Sequence, residues 1–291
     1  MTDLYPTRGS EEKILDRVDP VIYGEAEGHY ALTDEEAAYY EENGLIVFPG
    51  FFSEEEVRTF NDAFESLKHD ETLKGAEEYI TEPDSDELRT IFSQHIFSPV
   101  FQELIKDRRI LDKVEQILGS KSYIHHSRIN VKPAYKGKSF PWHSDFETWH
   151  AEDGLPHCRS VSVWFMLTEN TQFNGPLYLI PGSHKRFVAC AGETPKDHYK
   201  ESLRNQKYGV PSLEAIQSFC KNDEIAAPLG KAGTLVIHDG NTLHGSPDNI
   251  SPTSRTNAFF VYNSVENKPV APFAAKGKRA DFLSLTDFTP L

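Results

Sequence analysis

The segment PWHSDFETWH at 141–150 places His143 and Asp145 two residues apart. On an extended backbone, residues at this spacing project from the same face, so an imidazole nitrogen and a carboxylate oxygen can converge on one ion. Completed by a more distant histidine, the pair becomes a facial triad that leaves positions open on a non-haem Fe(II). An HxD pair alone is weak evidence, because such pairs are common in surface loops. The downstream sequence strengthens it. His244 lies in NTLHGS (241–246), just past the strand-like GTLVIH, and Arg255 follows at the head of NAFFVYN. A histidine ending one strand and an arginine on its neighbour would set a guanidinium beyond the metal, suited to the far carboxylate of a chelating dicarboxylic acid. Ser246 could add a hydroxyl to the same carboxylate. His184, His198 and His238 compete for the third ligand position. His184 precedes Lys185 and Arg186, whose charge disfavours a dication. His198 falls in a lid-like segment. His238 ends its own strand and could line the same cavity, but it lacks a serine and an arginine at useful spacing. His244 is favoured, with His238 the serious rival.

These residues need a scaffold. The chain has 291 residues, 38% hydrophobic and 12% aromatic, with a mean hydropathy of −0.51, which suits a globular protein rather than a fibrous repeat or a disulfide-stapled miniature. Thirty Lys and Arg against 45 Asp and Glu leave a net charge of −15, a surface that repels nucleic acid and anionic lipid. Cys158, Cys190 and Cys220 are an odd set without CxxC spacing, so they read as reduced core thiols. No apolar run approaches the ~20 residues of a membrane span, and the polar N-terminus lacks a signal-peptide core; the expected location is cytoplasmic.

One domain is expected over 1–291, mainly β, with helices flanking a jelly-roll-like double sheet. Residues 1–32 carry the Pro and Gly of an extended arm, and 33–120 read as a mostly helical flank. There, Thr33 with Glu36 and Ser53 with Glu56 are capping boxes, and a stretch after Pro99 breaks near Asp107. Strands are expected at 122–131, 160–167, 176–180, 233–238 and 257–263 within a core spanning 121–265. Residues 194–222 read as an insertion covering one mouth of the barrel, and 266–291 as a C-terminal tail.

Longer motifs carry a resemblance. HSDFETWHAEDGLP (143–156), NGPLYLIPGSH (174–184), GETPKDHYKESL (192–203), KYGVP (207–211) and VYNSV (261–265), with DLYPTR and DPVIYGEAE in the arm, resemble the ectoine hydroxylases of the phytanoyl-CoA dioxygenase-like superfamily over nearly the whole chain. The resemblance implies a double-stranded β-helix (jelly-roll or cupin-like) core, and Fe(II), 2-oxoglutarate and O₂ as cofactor and co-substrates, with His143, Asp145 and His244 as both metal ligands and catalytic centre. It also implies that Arg255, Ser246 and Asn130 hold the carboxylates of 2-oxoglutarate, with Arg128 and Lys132 nearby. Such enzymes couple oxidative decarboxylation to succinate and CO₂ with hydroxylation of an unactivated carbon. The carboxylate of Asp145 fills a position that a small residue would leave to a halide, which favours hydroxylation over halogenation.

Trp149 and Phe259 match the aromatic box for the small cyclic zwitterion; without the resemblance they would read as core aromatics. Glu147 and Glu152 read as supporting or solvent-facing charges. Two positions depart from the pattern. His126 stands where glutamine is usual, and His238 where the box has its third aromatic. An imidazole there could donate a hydrogen bond to a substrate carboxylate. The expected reaction is ectoine to 5-hydroxyectoine. The alternatives are hydroxylation of a free amino acid such as proline, a metal-dependent cupin lyase or isomerase, for which Arg255 has no use, and a non-catalytic jelly-roll module. The expected partner is a small zwitterion, with neither nucleic acid nor membrane, and a homodimer is left open.

Overall fold

The computed structural model describes residues 2–195, 198–204, 206–220 and 224–291. Among them the strands are β1 (Lys13–Asp16), β2 (Leu45–Phe48), β3 (Tyr79–Thr81), β4 (Leu88–Phe92), β5 (Ser122–Lys132), β6 (Phe140–His143), β7 (Ser160–Met166), β8 (Tyr178–Leu179), β9 (Arg186–Ala189), β10 (Leu235–Asp239), β11 (His244–Ser246) and β12 (Arg255–Ser264). An antiparallel seven-stranded sheet runs in the order β2-β10-β7-β12-β5-β4-β3, and a shorter one in the order β6-β11-β8. β7, β10 and β12 are buried along their whole length, and the period of two sorts their side chains. Val161, Val163, Phe165, Ile237, Phe260 and Tyr262 share one core with Phe60, Phe64, Phe101, Leu111 and Val114 of the N-terminal helices. The alternate residues Trp164, Met166, Val236 and Phe259 pack with Leu177 and Leu179 of the short sheet. A strand buried on both faces reads as an unbroken apolar run, as SVSVWFM does. The two sheets form a double-stranded β-helix flanked by helices.

Both capping boxes form, opening helices Asp34–Asn43 and Glu54–Lys68; Gly44, at φ +70°, ends the first in a left-handed conformation that glycine adopts without strain. The stretch after Pro99 divides into Pro99–Leu104 and Arg108–Leu118, with the Asp107 carboxylate accepting from the Arg109 amide as the second N-cap. The strand expected at LIVF (45–48) forms as β2 on one edge of the large sheet, but the flank is less helical than expected because β4 and β3 extend the other edge. β4 is LRTIF, five buried residues too short to show a periodicity. The expected strand at 176–180 shrinks to the two residues of β8; Pro176 has no amide to give a ladder. The arm wraps the body. β1 pairs with β9, Tyr5 is fully buried against Phe146 and Phe187, and Arg17 donates to the Asp239 carboxylate at 2.8 Å. In the tail, the amides of Leu285 and Leu291 bond to carbonyls of His125 and Ser122 on β5.

Candidate metal centre and cavity

β6 ends at His143, Ser144 remains extended, and Asp145 opens the helical turn Asp145–Thr148. Antiparallel pairing of β6 with β11 sets His244 directly across from His143, with ring centroids 4.2 Å apart. Asp145 Oδ1 is 3.6 Å from His143 Nε2, and Oδ2 is 3.8 Å from His244 Nε2. One ligating atom from each of the three residues lies within 4.8 Å of the others. Each histidine donates Nδ1–H to the carbonyl two residues before it, Pro141 O at 2.9 Å and Thr242 O at 3.0 Å. Because those partners only accept, Nδ1 carries the proton and the Nε2 lone pair points at the shared centre. Asp145 Oδ2 is buried with no hydrogen-bond partner. A buried carboxylate oxygen facing two imidazole lone pairs is repulsive unless a cation sits between them, so these residues fit a divalent ion. Burial pushes His244 well below the ordinary histidine range, which favours the neutral form a metal needs. Two nitrogens and one carboxylate on one side of the ion are the donor set of non-haem Fe(II).

The rivals lie elsewhere. The His184 ring packs against Gly44, with Nε2 donating to Glu41 O at 3.1 Å. His198 sits 2.9 Å from the Glu152 carboxylate. His238 packs edge-on against His244 at 5.2 Å but is absent from the cavity wall, contrary to the expectation that it lines it. It shares a strand face with Val236, whose side chain packs with Trp164 and Phe259.

The cavity next to the trio is lined from β5 by His126, Arg128, Asn130 and Lys132, alternate residues that share a face, and from β12 by Arg255 and Phe259. The register pairs Lys132 with Arg255 and Arg128 with Phe259. Ser246, two residues past His244, is on the same wall. Arg255 is 1% exposed, Nη2 donates to Asn130 Oδ1 at 3.2 Å, and Nε has no partner. Burial, reinforced by Arg89, pulls Arg255 down to about 9. Lys132 donates to the carbonyls of Lys138 and Pro247 at 2.7 and 2.6 Å, and burial, with Arg255 and Arg89 adding like charge, pulls it down to about 6. A buried guanidinium beside a buried amine that can take up a proton, with no carboxylate in hydrogen-bond reach of either among the described residues, prepares a place for a dianion.

Trp149 lines the cavity beside His126, at the head of the π-turn Trp149–Asp153. Phe259 stacks on Trp164 and carries the Arg128 guanidinium over its ring at 4.8 Å, so its faces are filled by the protein itself. His126 lines the cavity, but its nitrogens are engaged: Nε2 lies 2.6 Å from Arg128 Nη1 and Nδ1 3.4 Å from Leu283 O. The expected donor to a substrate carboxylate is therefore already committed. A bulge explains how two consecutive histidines reach the same side. Val261 pairs with His126 but Tyr262 with Ile124, and both His125 and His126 pack on Trp149, at 5.5 and 5.6 Å.

Several wall residues carried no signal in the sequence. Arg89, bridged to Glu82, comes from the unforeseen β4; Arg279 comes from the tail and holds Asp153 through two bonds of 2.8 and 2.6 Å. His198, Leu203, Gln206 and Tyr208 of the insertion also reach the cavity. Glu147 and Glu152 are not solvent-facing: both are 1% exposed and clamped by Arg8, at 2.6 and 2.8 Å to Glu147 and 3.1 Å to Glu152.

Comparison with known proteins extends this geometry. The ectoine dioxygenase of Streptomyces avermitilis is 47% identical over 291 residues, covering 100% of this chain and 99% of that protein. The crystal structure of EctD from S. alaskensis with 2-oxoglutarate and 5-hydroxyectoine matches with a TM-score of 0.89 at 40% identity, over 100% of this chain and 96% of that one. The same enzyme with bound Fe matches at 0.86 and 40% identity, over 97% and 94%. The sequence model of phytanoyl-CoA dioxygenase (PhyH) runs from residue 40 to 257, from β2 into the start of β12, and the chain belongs to that family.

Proposed function

We propose that this protein is an Fe(II)- and 2-oxoglutarate-dependent dioxygenase that hydroxylates ectoine to 5-hydroxyectoine. The observation that carries the reaction class is the juxtaposition of the His143, Asp145 and His244 ligand atoms with the buried Arg255 guanidinium and Lys132 amine, neither of which has a carboxylate partner among the described residues. Ectoine is supported by the named relatives and by a cavity that offers Trp149 to a delocalised cation. Iron with 2-oxoglutarate and O₂ supplies the oxidising power for an unactivated C–H bond; the protein supplies position and dryness. In this reading His143, Asp145 and His244 hold the metal on one side and leave the other open. Arg255 forks the distal carboxylate of 2-oxoglutarate, with Ser246, Asn130 and Lys132 around it. Arg128 stands between that site and Trp149, and Leu203 and Tyr208 of the insertion exclude water from the far wall. The free-amino-acid alternative loses its main support, since the His126 imidazole that would receive an amino-acid carboxylate is engaged by Arg128 and faces Leu283 O.

Purified protein given Fe(II), 2-oxoglutarate and O₂ should add one oxygen mass to ectoine and release succinate in equal amount. Hydroxylation of proline with ectoine left unchanged would overturn the substrate assignment. Turnover unaffected by chelation of iron would overturn the reaction class.

A further inference from the structure

We infer that His126 is a positioning residue: its Nε2 holds the Arg128 guanidinium so that Arg128, and not His126, presents N–H groups to a ligand carboxylate beside the metal-binding trio. The inference deepens the function proposed above and rests on it for the identity of the ligand.

The roles in the pair follow from its chemistry. A guanidinium can only donate, so at 2.6 Å from Arg128 Nη1 the His126 Nε2 must accept, and the ring proton is left on Nδ1. Nδ1 in turn faces the carbonyl of Leu283, which only accepts, so both partners select one tautomer. Burial first, then the charge of Arg128, keeps this ring neutral. Leu283 belongs to a 3₁₀ turn, Asp281–Leu283, held to β5 by the Leu285 amide on His125 O. The tail thus braces the imidazole, and the imidazole braces the arginine. Regular alternation along β5 puts the His126 ring in the cavity, on the strand face that Arg128 shares.

Apart from Arg255, whose Nε has no partner among the described residues, Arg128 is the cavity guanidinium with a hand left over. Arg89 is paired with Glu82, Arg279 with Asp153, and Arg255 is tied to Asn130. Arg128 is held by His126 and by the Phe259 ring, while its Nη2 stands 4.0 Å from Asp145 Oδ2, beyond a hydrogen bond and beside a proposed metal ligand. A carboxylate arriving at the open side of the metal meets this edge. It would be either the chelating end of 2-oxoglutarate or the carboxylate of ectoine; the chemistry is shared and the experiment separates them.

The test is calorimetric binding of 2-oxoglutarate and of ectoine, each titrated without O₂ into Mn(II)-loaded protein, for the native chain and for His126→Leu, His126→Gln, Arg128→Gln and His126→Leu with Arg128→Gln. His126→Leu should weaken one ligand about tenfold or more. His126→Gln, whose amide oxygen can still accept from Arg128, should stay within about threefold of native. In the Arg128→Gln background His126→Leu should add nothing, because the two act as one unit. The ligand that weakens identifies the carboxylate. Additive losses, or a glutamine variant as weak as the leucine one, would mean that His126 touches the ligand itself and would overturn the inference. Nitrogen-15 spectra of histidine-labelled, ligand-free protein decide the pairing independently of any ligand: a neutral ring protonated on Nδ1 is expected, and an Nε2–H tautomer refutes it. If the native protein binds neither ligand, the proposed function fails and takes the ligand half of the inference with it, while the spectra still decide whether His126 holds Arg128.

Discussion

Replacing Arg255 separates two effects that act in opposite directions. The guanidinium is buried and has no carboxylate partner of its own; burial and Arg89 pull it from the ordinary arginine range to about 9. At pH 7 it remains protonated in both the folded and the unfolded chain, so its burial is a standing cost on the order of several kcal/mol in the ligand-free protein. A dicarboxylate converts that cost into binding energy. Truncating one side of a desolvated charge pair loses about 2–5 kcal/mol, which at about 1.4 kcal/mol per tenfold is a loss of roughly thirtyfold to several thousandfold in 2-oxoglutarate affinity. Lys132, across the ladder from Arg255, keeps part of the positive field and argues for the lower half of that range. Arg255→Met should therefore melt no lower than the native protein when ligand-free. With 2-oxoglutarate at about 100 times the native Kd, the native Mn(II) protein gains about 2.7 kcal/mol, roughly 5–10 °C at about 2–4 °C per kcal/mol. The variant should gain almost nothing. Thermal shift and calorimetry without O₂ read both effects. An unchanged response to 2-oxoglutarate, or an equal loss of ectoine affinity, would refute the reasoning.

His143→Ala and His244→Ala should each lose iron by elemental analysis and lose turnover while unfolding near the native midpoint, since each removes a ligand rather than core volume; iron lost from His184→Ala and kept by His244→Ala would reverse the ligand assignment. Arg8→Ala should destabilise the fold by about 3–5 kcal/mol by stranding the buried Glu147 and Glu152. Glu152 is held below its ordinary value despite burial, by His198, Arg279 and Arg8, so its contribution is present above its unfolded pKa and fades as pH falls through the folded one. Removing Arg8 moves the folded pKa of Glu152 up toward its unfolded value, so the variant, less stable at neutral pH, should lose less further stability on acidification than the native chain does, and parallel stability–pH profiles would contradict this. Lys132, lowered to about 6, is neutral in the ligand-free protein at pH 7 and gains its proton when a dianion arrives. The affinity for 2-oxoglutarate should therefore fall as pH rises from 6 to 8, by at most about tenfold per unit, and Lys132→Met should flatten the profile; a native profile already flat would remove Lys132 from the site.

Local chemistry was readable wherever it is written within a few residues. Thr33 with Glu36 and Ser53 with Glu56 predict their helix starts because each capping box is satisfied inside one turn. The spacing of His143 and Asp145 predicts convergence because the chain stays extended through Ser144. His244 could be favoured over His238 only indirectly, by the residues that follow it, because both histidines sit on β10 or just past it and both face inward. Strand pairing makes the choice: β11 lies against β6, so the His244 ring meets His143, whereas His238 packs against His244 and is not among the residues that line the cavity.

The sequence by itself determined the donor types, the turn chemistry and the apolar runs that become doubly buried strands, since these depend on side-chain identity and on periods of two or of three to four residues. Tertiary structure decided what depends on register and on distant partners. The bulge at His125 reverses the alternation of β5, so His125 and His126 both reach Trp149, which no periodic pattern announces. Glu147 and Glu152 look solvated in FETWHAED because a buried carboxylate differs from an exposed one only through its partner. That partner, Arg8, lies 139 residues before Glu147, in an arm that has no helical period of its own. His126 shows the same dependence at the site itself: its residue type suggested a donor to substrate, but an arginine two positions on and a carbonyl in the tail chose its tautomer and turned it toward the protein.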